Sequence, residues 1–181
     1  MNLYFRMLWL SIRSRRWPRL GFFEVARTPF RVTLTDLDVL RHMNNGKYLT
    51  LMDLGRMDLM RRSGMWALLT ARGWYPVIVA ETITFRRSLE LGERFTLETR
   101  LRGVDAKAVY LEQRFVVDGQ IYAQAEIRGR FLKKSGGTVT ITELSDMVGG
   151  LPGGLEVPPW ITDWSEATAL PPSRADAPNI W

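Results

Sequence analysis

Hydrophobic and polar positions change period several times along this chain, and each change predicts an element. From Thr28, Phe30, Val32 and Leu34 alternate with Arg31, Thr33 and Thr35, which reads as a strand with one buried face through Thr35. Residues 46–62 shift to helical spacing, apolar at Tyr48, Leu49, Leu51, Met52, Leu54, Met57, Leu59 and Met60. So wide an apolar surface predicts a helix surrounded by protein. Gly55 in its middle costs about 1 kcal/mol relative to Ala, which points to close approach to a sheet or to an acyl chain. Ser63-Gly64 ends the helix, and Met65 to Arg72 fits a further short one. Four strand patterns follow, at Tyr75 to Arg87, Arg94 to Arg102, Ala108 to Val117 and Ile121 to Phe131, with Asp118-Gly119 as a hairpin turn. Strand, long helix and four antiparallel strands describe an α+β sheet with a helix on one face.

The flanks read differently. Residues 1–23 interleave Leu3, Tyr4, Phe5, Met7, Leu8, Trp9, Leu10 and Ile12 with Arg6, Arg13, Arg15 and Arg16. The apolar run from Met7 to Leu10 falls far short of the roughly 20 residues that cross a bilayer. Most arginines follow that run and no A-x-A site appears, so a secretory signal is not expected and cytoplasmic residence is. The pattern suits either a helix peripheral to an anionic membrane or one packed on protein. After Lys134, Ser135-Gly136-Gly137 leads to Val139-Thr140-Ile141 and a short helix from Thr142; Gly149 to Gly154 is a loop. Pro158-Pro159 starts a helix carrying Trp160, Ile161, Trp164 and Ala167, and the Pro-Pro-Ser-Arg-Ala-Asp-Ala-Pro stretch reads as a tail. The expected division is an arm at 1–26, a domain at 27–145 and a trailing segment at 146–181.

With 181 residues the chain can bury one core. It has no cysteine, which excludes thiol nucleophiles and cysteine zinc sites, and its single histidine excludes a His-rich metal site within one subunit. A formal charge of +6 would suggest nucleic acid, but residues 1–31 carry seven Arg against Glu24 alone, while 32–181 hold 18 basic and 18 acidic residues. The body is neutral, so no nucleic-acid face is expected and the basic segment has a local partner. There is no G-x-S-x-G elbow, no phosphate-binding P-loop and no G-x-G-x-x-G after a strand.

The chemistry that remains gathers in Asp36-Leu37-Asp38-Val39-Leu40-Arg41-His42-Met43-Asn44-Asn45-Gly46-Lys47-Tyr48, immediately before the long helix. Helix N-termini present unpaired N–H groups and partial positive charge, and Asn44 or Asn45 fits as the cap. This stretch resembles the hotdog-fold acyl thioesterases of the 4-hydroxybenzoyl-CoA thioesterase type, with Asp38 four residues before His42, then Asn44-Asn45 and Tyr48. It looks closest to the thioesterase superfamily member 6 subgroup, over roughly residues 27–134, with Asp53 where many relatives carry a helix acid. The resemblance implies a hotdog fold, one long central helix wrapped by a bent antiparallel sheet of about five to six strands. It also implies hydrolysis of an acyl-CoA or acyl-ACP thioester, without cofactor or metal, by a homodimer or homotetramer. Plant acyl-ACP thioesterases carry a catalytic Asn where this chain has Leu40, so their full trio does not carry over.

Residue by residue, Asp38 is the candidate base or nucleophile, since a carboxylate among apolar walls is more basic than in water; it could instead brace the loop. His42 is the second catalytic candidate, orienting water or substrate, or else a structural hydrogen-bonding group. Asn44, Asn45, Gly46 and Tyr48 are assigned to substrate, Asn45 and Gly46 through their backbone amides, although Tyr48 also fits a core position. Asp53 and Glu81 are secondary acids. Asp53 and Asp58 suit solvated or salt-bridged positions, and Glu81 is either turned outward by a bulge or faces in near the pocket. Arg86 and Arg87 face solvent or meet CoA phosphates. The competing readings are a non-catalytic acyl binder of the same fold and a scaffold defined by its basic N-terminus.

Overall fold

Strands β1 (Ala26–Arg31), β2 (Trp74–Phe85), β3 (Arg94–Val104), β4 (Val109–Val117) and β5 (Gln120–Lys133) form one sheet in the order β1-β3-β4-β5-β2, every neighbouring pair antiparallel. The structure is a computed structural model, describing residues 3–171 and 175–179. The expected C-terminal tail therefore lies partly outside the described residues. Asp118 and Gly119 both take positive φ, 46° and 76°, as the β4–β5 hairpin requires.

The helix expected over 46–62 is α2, Asn45–Arg62, capped by the Asn44 side chain, which accepts from the Gly46 N–H at 2.9 Å. It lies across the sheet face that carries Phe95, Leu97, Phe115, Ala125 and Ile127. A Cβ on Gly55 would meet Leu97, Thr99 and Gln113 side chains at 2.7–2.8 Å, so the close approach is to the sheet. Helix α3 (Met65–Ala71) follows. The strand expected through Thr35 stops at Arg31. Thr33 and Asp36 instead close a capping box around a 3-10 turn at Leu34–Asp36, which leaves Leu34 74% exposed.

The flanking segments pack on this frame. Helix α1 (Leu3–Arg13) contributes Leu10 to the same core as α2 and the sheet. Helix α4 (Ile141–Val148), capped by Thr140 and Glu143, covers one end of the sheet through Leu144 and Met147, and it crosses the expected boundary at 145. Helix α5 (Pro159–Ala167) covers the opposite sheet face: Ile161 is fully buried, and the Tyr110 hydroxyl donates to Asp105 at 2.7 Å and meets Ser165 at 3.1 Å.

Candidate active site

Asp38 opens a tight turn, Asp38–Arg41, closed by the Arg41 N–H on the Asp38 carbonyl at 3.1 Å. Asp38 Oδ1 accepts the Leu40 N–H at 2.8 Å and the His42 N–H at 3.3 Å, an Asx-type brace. The brace holds Arg41 at φ 64°, a left-handed conformation costing about 1–2 kcal/mol for a residue with a Cβ. Oδ2 carries no hydrogen bond among the described residues and is the oxygen left for chemistry. Asp38 is half-buried in a loop whose Val39 and Leu40 are 97% and 71% exposed, so among the described residues no closed apolar walls surround it. His42 is linked to Asp38 through its backbone amide. Its exposed imidazole makes no hydrogen bond among the described residues.

At the helix mouth the assigned substrate residues divide. Asn44 and Asn45 are exposed at the first turn of α2. The Gly46 N–H, expected as a donor to the thioester carbonyl, is already engaged by the Asn44 cap, which leaves the Asn45 N–H as the open amide. Tyr48 takes the core position: it is 1% exposed, packs edge-on against Phe85 and Phe115, and its hydroxyl accepts the Leu89 N–H at 3.3 Å. Four residues past the cap, its side chain lies on the face of α2 that meets the sheet.

Farther along α2 a second cluster forms around Arg56, 6% exposed. Its guanidinium binds the carboxylate of Asp53, pairs with Glu81 at 2.8 Å and donates to Gln113 Oε1 at 3.0 Å. Gln113 in turn donates to the Met52 carbonyl at 3.0 Å and the Thr99 hydroxyl at 2.8 Å. Glu81 faces in. A bulge does interrupt β2, at Val79 between the Ile78–Gly129 and Ala80–Arg128 pairs, but it switches the face of the residues before it. Glu81 stays opposite buried Ile127 and in phase with Ile83 and Phe85. Burial pushes its carboxyl up, against the pull of Arg56 and with help from Asp53. Asp53 itself remains 57% exposed, as a salt-bridged surface acid should. Asp58 is salt-bridged to Arg62 at 3.1 Å and bonded by Thr28 at 2.8 Å, but is fully buried, and that burial raises its carboxyl despite both partners.

Asp53 and Arg56 border an apolar cavity of about 330 Å³ between α2, the sheet and α4. Met57, Met60, Ile78 and Leu144 line it, together with Phe22 and Phe23 of the N-terminal arm. Neither the cavity, Arg56 nor Gln113 was read from the sequence. Gln113 carried a signal, a polar residue in phase with Val109, Leu111 and Phe115, and Arg56 another, a cation amid the apolar spacing of α2. No group of three or more His, Asp or Glu side chains among the described residues is placed to hold a metal.

Comparison with known proteins agrees with this architecture. A family model described as the thioesterase-like superfamily matches residues 32–172. Protein THEM6 of Danio rerio is 43% identical over 135 residues, 73% of this chain and 67% of that protein, so the chain spans about two thirds of its relative's length. Long-chain acyl-CoA thioesterase FadM of Escherichia coli is 30% identical over 103 residues, 56% of this chain and 78% of FadM. Among solved structures, the probable thioesterase YbaW from Escherichia coli matches with a TM-score of 0.64 at 27% identity, covering 68% of this chain and 96% of that one.

Proposed function

This chain belongs to the thioesterase-like superfamily, and from that premise we propose that it hydrolyses the thioester of an aliphatic acyl-CoA or acyl-ACP, with Asp38 as base or nucleophile. The observation that carries the reading is Asp38 Oδ2, unbonded at the open end of α2 while Oδ1 is held by two loop amides. A carboxylate so oriented can attack a carbonyl or take a proton from water, and a thioester needs little help with its leaving group. The Asn45 N–H would receive the developing oxyanion, a donor whose loss typically costs about 3–4 kcal/mol. His42 and the Asn45 amide would position water or substrate around it.

The apolar cavity supports an aliphatic chain. Its charged lining residues, Asp53, Arg56 and Arg130, are few against methionines, phenylalanines and branched side chains, and it lies within the size range of small-ligand sites. FadM is named a long-chain acyl-CoA thioesterase, and the same substrate class is the first to try here. A second reading follows from the same geometry: Asp53 borders the cavity with Glu81 one ion pair behind it, so either acid could serve if Asp38 does not.

The working unit would be at least a dimer. Strand β2 is a 12-residue edge exposing Tyr75, Ile78, Val79 and Phe85, the kind of unguarded apolar edge that pairing hides. The opposite edge, β1, carries Pro29 and flanking arginines. Exposed Val39 and Leu40 beside Asp38 would likewise be covered by a second protomer.

Incubation with a panel of acyl-CoAs while free thiol is monitored tests the activity. Turnover that prefers long aliphatic chains is expected. Tight acyl-CoA binding without thiol release would replace hydrolysis by acyl binding, and neither would leave the scaffold reading.

A further inference from the structure

Helix α1 has two unlike faces. The first is fastened to the body. Arg6, 5% exposed, donates to the Thr33 hydroxyl at 2.9 Å and binds the carboxylate of Asp36, while Leu10, 3% exposed, enters the core beside Met7. Burial alone would push Asp36 up, but the Thr33 bonds and Arg6 outweigh it and hold the carboxyl below its ordinary range. Ser11 accepts from Arg61 of α2, which fixes the helix a second time. This segment is a built part of the fold, not a loose tail.

The second face is apolar and open. Phe5, Leu8, Trp9 and Ile12 are 66%, 59%, 43% and 59% exposed, and at 3.6 residues per turn they fall within an arc of about 100° opposite Arg6 and Leu10. An apolar stripe on a helix belongs against something, and a contiguous exposed patch marks an interaction surface. Its surroundings are cationic. Arg13 lies 4.9 Å over the Trp9 ring, Arg15, Arg16 and Arg19 are exposed just beyond, and a groove between α1 and β1 is lined by Trp9, Arg13, Arg31 and Arg94.

We infer that this face docks on an anionic lipid surface, α1 lying in the interface plane with Phe5, Leu8, Trp9 and Ile12 among the acyl boundary and the arginines on phosphates. At 11 residues α1 is about 16 Å long, about half the roughly 30 Å of a bilayer core, and no helix among the described residues is long and apolar enough to cross a membrane. A short helix with one apolar face and flanking arginines suits lying flat. A second copy is the poorer occupant, because a two-fold contact sets the same patch against itself and would crowd these arginines together. Charge complementarity favours phosphate, and the indole of Trp9 suits the headgroup level.

Flotation of the full chain with phosphatidylcholine vesicles, with and without an anionic phospholipid, decides the matter. Wild type should bind the anionic vesicles, and high salt should release it. Phe5→Glu/Leu8→Glu alters only exposed positions, so its melting curve should match wild type while vesicle binding is lost. Arg15→Gln/Arg16→Gln should weaken binding about 30-fold, near the effect of two surface charges. The proposal is overturned if wild type ignores anionic vesicles, binds neutral ones equally, or keeps its binding in Phe5→Glu/Leu8→Glu. It is also overturned if sedimentation shows that the same double variant dissolves a self-associated species, which would make the second copy the occupant.

Discussion

At and just before the first turn of α2, Asp38, Asn44 and Asn45 stand near solvent, and Asp38 and Asn44 accept from backbone amides within a few residues of themselves. About three turns farther on, Asp53, Arg56 and Glu81 meet across a helix and a strand, with Gln113 joining from a third element. Both regions offer carboxylates, under opposite conditions. The first has an acid oxygen open to solvent and, among the described residues, no cation paired with it. The second has its acids neutralised by a buried guanidinium, beside an apolar cavity. A carboxylate meant to attack needs an unengaged oxygen, whereas one meant to shape a pocket is better tied down. On the proposed function, chemistry belongs to the turn before α2, and selectivity and stability to the second region.

The largest effect that would sharpen this division is on folding. Arg56→Ala leaves Glu81 and Gln113 facing a buried void, and removing one partner of such a pair costs about 3 kcal/mol, the low end of the usual range because Glu81 keeps 19% exposure and can take up a proton. Urea unfolding should register that loss. Turnover of a short acyl-CoA by the folded fraction should persist if chemistry belongs to Asp38, and its disappearance would move the chemistry to the second cluster.

Filling the cavity is the next test. Met60→Trp should lower kcat/KM for the longest accepted acyl-CoA by about 10- to 100-fold, corresponding to a few methylenes denied burial at about 0.8 kcal/mol each, and leave short chains nearly unchanged. Equal loss across chain lengths would mean that the cavity does not hold the acyl group.

The smallest effect is a pH dependence. The Glu81 carboxyl is raised above its ordinary 4.5, chiefly by burial. A raised folded value contributes stability that is fully present below about 4.5 and is lost as pH rises through the folded value. Glu81→Gln does not titrate, so wild type should lose stability relative to this variant as pH climbs from 4 to 8. A gap that widened in wild type's favour would mean that Arg56 dominates burial at Glu81.

What could be read from the chain follows the same contrast. The bounds of α2 were legible because Asn44 caps it and its apolar spacing is local, and the Asp38 brace was legible because its turn is built from neighbours in sequence. The hairpin at Asp118-Gly119 needed only two residues. Tyr48 was left between substrate and core because a motif position does not say which face of a helix it occupies, and its burial against the sheet appears only in three dimensions. Leu34 failed because Asp36 is claimed by Thr33 and by Arg6, 30 residues away, and that capping turn outcompetes strand alternation. The face of Glu81 was left open because local alternation does not say on which side of the Val79 bulge the phase shifts. The Arg56–Gln113 contact joins residues 57 apart, and no local pattern announces it.

The division rests on Asp38. Asn at this position keeps an oxygen that can accept the Leu40 and His42 amides, so Asp38→Asn should fold and melt like wild type while removing the base. With the best substrate from the acyl-CoA panel, kcat in Asp38→Asn should fall by about 10²–10⁴-fold, with acyl binding retained, whereas Asp53→Asn and Glu81→Gln measured alongside should each stay close to wild type. Full activity in Asp38→Asn, with loss in either of the other two, would contradict the assignment and leave Asp38 as the brace of its loop.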